Sequence, residues 1–362
     1  MSDIRIDLYS DTVTRPTQAM REFMAGAAVG DEQQGEDPTV NQLIEMVCDI
    51  LGKENAIFLP SGTMCNQIAL RVYCRPGDEI IMDETAHTRH YETGGPAALS
   101  GASIYPLPGR RGIFSVDQVA DAIRPMNPHF PVSRVLLIEQ TSNLGGGSIW
   151  PLDTIKGACK LARERGLAAH MDGARLFNAA VATGISPREY AAHFDSVWID
   201  FSKGLGAPVG AALAGSDPFI RDAWRWKHQF GGAMRQAGII AAGAVYALEN
   251  HIDRLAEDHD NAKILARGLA HIRGISVETV QSVESVKSVE SVKSVDTNIV
   301  FFDISELPIT ADAFNDLLAA RGIRVSSAGG TRMRAVTHLD VSRKQIDEAL
   351  QAIQDIVSAL QK

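Results

Sequence analysis

The chain has 362 residues, of which 45% are hydrophobic and 22% charged, and its formal net charge at pH 7 is −9. This is the composition of an ordinary globular protein with room for about two domains. An acidic chain without a basic tail is not expected to bind duplex nucleic acid or an anionic membrane surface. The N-terminus lacks the apolar core of a secretory signal, and four widely separated cysteines favour reduced thiols, so we expect a cytoplasmic location.

Short apolar runs alternate with helical patterns through the first two thirds of the chain. Near-continuous apolar strands separated by helices predict a mostly parallel sheet that is covered by helices on both faces. We assign this part, residues 1–250, to a large domain. Its predicted strands are 56–59, 79–82, 134–139, 167–171, 197–199 and 211–214.

The pattern changes near residue 235. No proline interrupts the helical pattern over 235–273, which predicts one long helix that leads into a smaller C-terminal α/β domain, residues 251–362. The later predicted elements are a strand at 298–302, a helix at 311–321 and a closing helix from Ser342. Between them, SVESVK at 282–287 recurs at 288–293, and we interpret this repeat as a duplicated surface insertion without assigned function.

Two short signals follow predicted strands, where open α/β sheets place their ligands. Ser61, Gly62 and Thr63 stand between a strand and a helix, and backbone N–H groups at a helix start can bind a phosphate, although most such triplets are caps and turns. Asp172 ends another strand and can hold a protonated ring nitrogen, while Arg175 can clamp a carboxylate. For this second signal, a plain salt bridge at the strand end is an equally good interpretation.

A third signal is Lys203, which stands between Ser202 and Gly204 after the next strand. Desolvation at the lip of an apolar sheet can lower a lysine pKa and make the amine a nucleophile, although most lysines are solvated. Pyridoxal 5′-phosphate (PLP) is held by three such groups together, namely a phosphate-binding loop, an acid for the ring nitrogen and a lysine that forms a Schiff base. The chain has no dinucleotide-binding or P-loop fingerprint, which argues against those nucleotide sites.

These blocks, taken in order, make the sequence resemble the threonine aldolases of the β-eliminating lyase group, which are PLP enzymes of fold type I. The resemblance implies an aspartate-aminotransferase-like large domain and a smaller C-terminal α/β domain. It rests on seven blocks, at 7–14, 61–67, 86–92, 172–176, 202–206, 231–238 and 334–340.

The resemblance also implies roles for particular residues toward PLP. Lys203 would form the Schiff base and Asp172 would pair with the ring nitrogen. Gly62 and Thr63 would bind the phosphate, joined by Arg235 from a neighbouring subunit. The whole cofactor-binding set that it implies is Gly62, Thr63, His87, Asp172, Arg175, Lys203 and Arg235.

For the substrate, the resemblance implies an L-threonine- or L-allo-threonine-like β-hydroxy-α-amino acid that is cleaved to glycine and an aldehyde. Ser10, Arg175 and Arg334 would bind its carboxylate. His87 would stack on the cofactor ring and act as the catalytic base, with His90 as a candidate helper, because an imidazole titrates near neutrality. No protein-bound metal is predicted, since this histidine pair lacks a cysteine or HExxH glutamate beside it.

Two departures from the family pattern leave questions open. Ser142 stands where many members have a histidine near the substrate hydroxyl, so the identity of the base and the threo or erythro preference stay open. Tyr9 stands where arginine is common. The alternatives are a related PLP lyase that catalyses β-elimination or racemisation, and a non-catalytic binding protein with the PLP fold. The family is typically a homotetramer whose active sites are shared across a dimer.

Overall fold

The structure, a computed structural model, describes residues 3–278 and 295–361. The chain folds into two compact units, which we call the large unit (Pro16–Ile252) and the small unit (Met1–Arg15 with Asp253–Lys362). The first fifteen residues therefore group with the C-terminal part of the chain. As statements about domains, the bounds 1–250 and 251–362 stay predictions, and the repeat at 282–293 lies outside the described residues.

The described elements alternate as the sequence pattern predicts. The strands are β1 (Ile6–Asp7), β2 (Asn55–Leu59), β3 (Asp78–Asp83), β4 (Ser103–Leu107), β5 (Val132–Glu139), β6 (Ala168–Gly173), β7 (Ser196–Asp200), β8 (Ala211–Gly215), β9 (Ser276–Val277), β10 (Ile299–Asp303), β11 (Ile323–Arg324), β12 (Ser326–Ser327) and β13 (Arg332–Val336). The helices are α1 (Gln18–Ala25), α2 (Pro38–Leu51), α3 (Gly62–Tyr73), α4 (His87–His90), α5 (Gly95–Ser100), α6 (Val116–Ala122), α7 (Leu152–Glu164), α8 (Leu176–Thr183), α9 (Pro187–Ala191), α10 (Asp217–Gln229), α11 (Gly238–Asn250), α12 (Leu255–Ala270), α13 (Ala311–Ala319) and α14 (Arg343–Leu360).

The large unit is built on a sheet whose described strands run in the order β2-β8-β7-β6-β5-β3-β4. Neighbours from β7 to β4 pair in parallel, and β8 is antiparallel to both of its neighbours. Every residue of β3 and of β8 is buried, which agrees with a sheet covered on both faces. The predicted α/β class with a mostly parallel sheet is confirmed.

The small unit has its own sheets and its own apolar core. In the described residues, β12, β13, β10 and β9 form an antiparallel sheet, and β1 pairs in parallel with β11. Helices α12 and α14 pack with it, and Ile6 and Leu8 are fully buried members of the same core. The N-terminal segment is therefore an integral part of this unit.

The prediction of one long helix over 235–273 is wrong. The structure has two helices, α11 and α12, separated by residues 251–254. His251 is buried at the break, and its Nδ1 lies 2.7 Å from the carbonyl oxygen of Leu205. Neither proline nor glycine marks this point, so the break depends on a tertiary contact that the local pattern does not contain.

The structure bears on membrane-spanning helices and on disulfides. Among the described helices, none combines the length and the apolar character that a bilayer span requires. The four cysteines form no disulfide; Cys65, Cys74 and Cys159 are buried and Cys48 is half-buried.

Candidate active site

Acidic side chains gather where parallel strands of the large unit end. Glu139 on β5 is the register partner of Asp172 on β6, and Asp172 is in turn the partner of Trp198 on β7. Asp200 ends β7, and Lys203 follows three residues later. Because parallel strands end at one edge of the sheet, these groups share the position at which open α/β sheets bind ligands.

The N-terminus of α3 faces the same edge. The Ser61 hydroxyl accepts the backbone N–H of Met64 at 3.2 Å and so caps the helix. A Cβ atom on Gly62 would lie 2.1 Å from the Trp198 indole, so glycine is the residue that fits there. Thr63 is exposed. The remaining N–H groups of this twelve-residue helix and its dipole favour an anion at this point.

Asp172 is buried, with 1% of its surface exposed. Its Oδ1 accepts the backbone N–H of Ala174 at 3.1 Å, and its Oδ2 accepts Nδ2 of Asn66 at 2.8 Å. Burial holds the pKa of Asp172 above its ordinary value, although the positive charges of Lys203 and His87 act to lower it. A cation placed beside this carboxylate would favour its charged form.

His87 begins the short helix α4, and both its backbone N–H and its imidazole ring form hydrogen bonds. Its backbone N–H donates to Oε2 of Glu139 at 2.9 Å, and its Nδ1 lies 3.0 Å from Oε1 of the buried Glu92. Burial alone would lower the pKa of His87. The hydrogen bond that His87 donates to Glu92 and the charges of Asp172, Glu92 and Glu139 outweigh burial and raise the pKa of His87 above its ordinary value.

Glu139 is a buried carboxylate that sequence reasoning did not single out. Besides the N–H of His87, it accepts the backbone N–H of Asn143 at 2.9 Å with Oε1. Burial and the nearby charge of Asp172 raise the pKa of Glu139 to about 7. Glu139 therefore links α4 to the loop that follows β5 through two hydrogen bonds. With a pKa of about 7, its carboxyl group gains or loses its proton near neutral pH.

Lys203 lies in the loop after β7, with 16% of its side chain exposed. Its Nζ forms an ion pair of 3.0 Å with Oδ2 of Asp200, whose Oδ1 accepts both the backbone N–H and the hydroxyl of Ser202. The same Nζ lies 5.5 Å from the centre of the Trp198 ring. Trp198 therefore contacts both the start of α3 and the lysine.

Three further residues of the large unit, Arg175, Ser142 and Arg235, have the following surroundings. The backbone N–H of the buried Arg175 donates to the carbonyl of Gln140 at 3.1 Å, next to the loop that contains Ser142. Ser142 is itself buried. Arg235 is exposed and pairs with Asp31 at 2.7 Å.

Three predicted residues have different surroundings. His90 is exposed, and its Nε2 lies 2.7 Å from the carbonyl oxygen of Glu84. Ser10 and Arg334 belong to the small unit, where Ser10 caps a short 3-10 helix and Arg334 lies on β13. Their placement toward Lys203 stays a prediction.

Comparisons with known proteins decide the family. The beta-eliminating lyase family model matches residues 7–291. The chain is 42% identical over 344 residues to the low specificity L-threonine aldolase of Escherichia coli K12, covering 95% of this chain and 96% of that protein. It is 35% identical over 362 residues to low-specificity L-threonine aldolase 1 of Arabidopsis thaliana, covering 99% and 98%. The chain belongs to the beta-eliminating lyase family.

Solved structures agree with this assignment at the level of fold. The threonine aldolase of Leishmania major superposes with a TM-score of 0.79 at 20% identity, covering 97% of this chain and 99% of that one. The serine palmitoyltransferase of Sphingomonas wittichii gives 0.73 at 17% identity, covering 99% and 88%. The predicted resemblance to threonine aldolases and the predicted fold type I are confirmed.

One group in this family member has the composition of a metal site. His87, Glu92 and Asp172 offer ligand atoms that all lie within 4.8 Å of one another. However, Nδ2 of Asn66 donates to Oε1 of Glu92 at 2.7 Å and to Oδ2 of Asp172 at 2.8 Å. An amide that points its hydrogens between two carboxylates occupies the position that a cation would need. The arrangement therefore favours a hydrogen-bonded cluster.

Sequence reasoning missed the residues that hold the predicted ones in place. Asn66 organises Asp172 and Glu92, Glu139 holds the N-terminus of α4, and Asp200 pairs with Lys203. A usable signal existed for Asn66, because it and Gln67 are amides in the otherwise apolar buried run 65–70. Glu139 and Asp200, like Asp172, are acids at the ends of apolar strands.

Proposed function

We propose that this chain is a PLP-dependent aldolase that cleaves L-threonine- and L-allo-threonine-like β-hydroxy-α-amino acids into glycine and an aldehyde. Its membership of the beta-eliminating lyase family and its 42% identity to a low specificity L-threonine aldolase support this activity. The observation that carries the proposal is one shared edge of the sheet. There Trp198 contacts Gly62 and Lys203, and Asn66 joins the start of α3 to Asp172.

The residues present fit PLP. A phosphate suits the N–H groups of Gly62 and Thr63, because they lie in the first turn of α3, where backbone N–H groups and the helix dipole favour an anion. A protonated ring nitrogen suits Asp172, whose buried carboxylate gains from a neighbouring cation. When bound, PLP supplies an electron sink for the pair released from the Cα–Cβ bond. Lys203 would hold it covalently, and Arg235 of a neighbouring subunit would add to the phosphate site.

Three side chains are proposed to bind the substrate carboxylate, namely Ser10, Arg175 and Arg334. Two guanidinium groups and a hydroxyl can hold a carboxylate in one orientation, since arginine binds carboxylates through paired N–H donors. Fixing the carboxylate limits rotation about Cα and so selects which bond of the substrate is aligned for cleavage. These residues thereby favour loss of the β-carbon over loss of the α-proton.

His87 is proposed to take the proton from the substrate β-hydroxyl, directly or through a water molecule. The Glu92 carboxylate accepts from Nδ1, so the neutral imidazole carries its proton there and leaves Nε2 as the acceptor. Ser142 lies near Gly112, on which a Cβ atom would come within 1.9 Å of the Ser142 hydroxyl oxygen. His87 is our candidate for the base because an imidazole titrates near neutrality.

The test uses purified protein loaded with PLP. We expect borohydride reduction followed by peptide mapping to place the label on Lys203. Of the four threonine stereoisomers, we expect the two L-isomers to be cleaved to equal amounts of glycine and acetaldehyde, and the two D-isomers to be left intact. Lys53→Ala is a matched control, because Lys53 is another half-buried lysine of the large unit, and its loss should preserve labelling.

Other outcomes identify the alternatives. Ammonia with a 2-oxo acid would indicate β-elimination, and inversion at Cα without glycine would indicate racemisation. Labelling of another residue would overturn the role of Lys203. No cofactor absorbance and no spectral change with substrate would overturn the proposal in favour of a non-catalytic protein. The homotetramer and the cytoplasmic location stay predictions, and light scattering of the holoenzyme tests the tetramer.

A further inference from the structure

A chain of buried hydrogen bonds runs from β7 to the carboxylate of Asp172. We propose that Ser196, His170 and Asn66 form a relay that positions Asp172 toward the ring nitrogen of PLP. The inference rests on the proposed function, since it assumes that PLP binds beside Asp172. The three relay residues are all fully buried, and none of them was assigned a role from sequence.

The indole of Trp198 determines how the Asn66 amide is oriented. Nε1 of Trp198 lies 2.7 Å from Oδ1 of Asn66. Because an indole N–H can only donate, that amide atom must be the oxygen, and Nδ2 must face the carboxylates. Its two hydrogens then serve Oε1 of Glu92 at 2.7 Å and Oδ2 of Asp172 at 2.8 Å.

His170 extends the relay on the far side of Asn66. Its Nε2 lies 3.1 Å from the same Oδ1 of Asn66, and its Nδ1 lies 2.8 Å from the hydroxyl of Ser196. Burial lowers the pKa of His170 to about 3, so the ring is neutral. Because Oδ1 of Asn66 can only accept, Nε2 of His170 carries the proton, and Nδ1 of the neutral ring accepts from the Ser196 hydroxyl. The donors from Ser196 through His170 to Asn66 therefore run in one direction, and the relay ends on Asp172 and Glu92.

The direction of these bonds has a consequence for the carboxylate. Hydrogen bonds that point at Asp172 favour its ionised form, whereas burial favours the protonated form. With Oδ1 held by the N–H of Ala174 and Oδ2 by Asn66, both oxygens have a fixed direction. Asn66 also holds Glu92, the partner of His87, so one amide links the proposed ring-nitrogen acid to the proposed base.

The experiment compares variants of the PLP-loaded enzyme. Asn66→Leu removes both donors with little change of volume, and His170→Leu removes the donor to Asn66. His170→Gln retains an N–H group near the position of Nε2 and serves as the conservative variant. His259→Leu, which removes a buried histidine from the small unit, is the matched control.

Two readouts separate positioning from a merely structural role. We expect Asn66→Leu to weaken PLP binding by about 10- to 100-fold, the range for a lost hydrogen bond to a charged group, and His170→Leu by about 2- to 10-fold, the range for a lost neutral one. We also expect the pH midpoint of the bound cofactor's absorbance to move by about one unit. His170→Gln and His259→Leu should leave both quantities near the wild-type values, and kcat should fall more than KM rises in the two leucine variants.

The outcomes distinguish this inference from the proposed function. Wild-type affinity and an unchanged absorbance titration in both leucine variants would overturn the relay while leaving the aldolase intact. If Asn66→Leu does not fold, the His170→Leu and His170→Gln pair decides in the same way. Equal weakening by His170→Leu and His170→Gln would also overturn the relay. A wild-type protein that does not hold PLP on Lys203 would overturn the proposed function itself.

Discussion

Glu139 is a buried carboxylate whose protonation differs between the unfolded and the folded chain. Its pKa rises from 4.5 to about 7 because burial and the charge of Asp172 disfavour the ionised form. A group whose pKa is raised by folding stabilises fully below pH 4.5, and this contribution is lost as the pH rises through about 7. Glu139 therefore makes the native state less stable toward alkaline pH.

The variant Glu139→Gln tests this dependence. We expect the free energy of unfolding of the wild type, relative to that of the variant, to fall between pH 4.5 and 7 by at most about 3 kcal/mol. Chemical denaturation at several pH values in this range measures the difference. A difference that does not change with pH would contradict the raised pKa.

His87 carries a prediction about turnover. His87→Ala is expected to lower kcat for L-threonine cleavage by about 100- to 10,000-fold, the range for loss of a general base. The matched control is His90→Ala, because His90 is exposed and contacts the carbonyl of Glu84. That variant should retain kcat within about twofold. Near-normal cleavage by His87→Ala at saturating substrate would show that His87 is not the base.

The pH profile of the wild type gives an independent check on His87. Its pKa lies above 6.5 despite burial, since Glu92 and the acidic neighbours favour the protonated imidazole. Only the neutral ring can accept a proton, so activity should be lost as the pH falls through this raised value. We expect the acid limb of kcat/KM in the free enzyme to lie above pH 6.5. An acid limb at lower pH would contradict the assignment.

At the scale of elements, helix α3 combines a capped N-terminus with a buried middle turn. Ser61 caps the helix, Gly62 gives close approach to Trp198, and Asn66 lies one turn further on. The same helix can therefore receive a phosphate at its first turn and hold Asp172 from its second. A shift in the position of α3 should therefore weaken both the phosphate site and the hydrogen bond to Asp172.

Gly62→Ala tests this close approach. The added methyl group would lie 2.1 Å from the Trp198 ring, so the ring or the start of α3 must shift. We expect a loss of about 1–3 kcal/mol in the free energy of unfolding, as for overpacked cores, together with weaker PLP binding. Gly26→Ala is the control, because its methyl group would meet only carbonyl oxygens at 3.8 Å. Wild-type stability and affinity in Gly62→Ala would contradict this account of α3.

At the scale of the whole molecule, the first residues of the chain complete the small unit. The backbone N–H of Leu8 donates to the carbonyl of Arg324 at 2.7 Å, and its carbonyl accepts from Val336 at 2.9 Å. Its side chain is fully buried in the core of this unit. The small unit therefore needs both ends of the sequence.

Leu8→Ala is expected to lower the free energy of unfolding by about 2–5 kcal/mol, since it leaves a cavity in a closed core. Val29→Ala is the control, because Val29 is 45% exposed, and the expected change is within about 0.5 kcal/mol. Denaturant titration with matched m-values measures both. Equal stability of the two variants would mean that the N-terminal segment contributes little to this unit.

The predicted elements show what a local pattern can determine. Apolar runs predict the strands at 134–139 and 211–214, and the structure has β5 and β8 there. The capping residue Ser61 predicts the helix that follows it, which is α3. The same patterns did not reveal the break between α11 and α12, because no breaker residue marks it and a contact from His251 to Leu205 defines it.

Local sequence patterns predict the alternation of strands and helices, the motifs that resemble the family, and the positions of Asp172 near the end of a strand and of Lys203 just after one. These features are local, because periodicity and turn chemistry act over a few residues. The groups that surround these residues follow from folding. Asn66 contacts Asp172 and Trp198, which lie 106 and 132 residues away along the chain, and no short-range pattern contains such pairings. The polar network therefore follows from packing, which brings distant strand ends to one edge of the sheet and leaves each buried polar group only the partners found there.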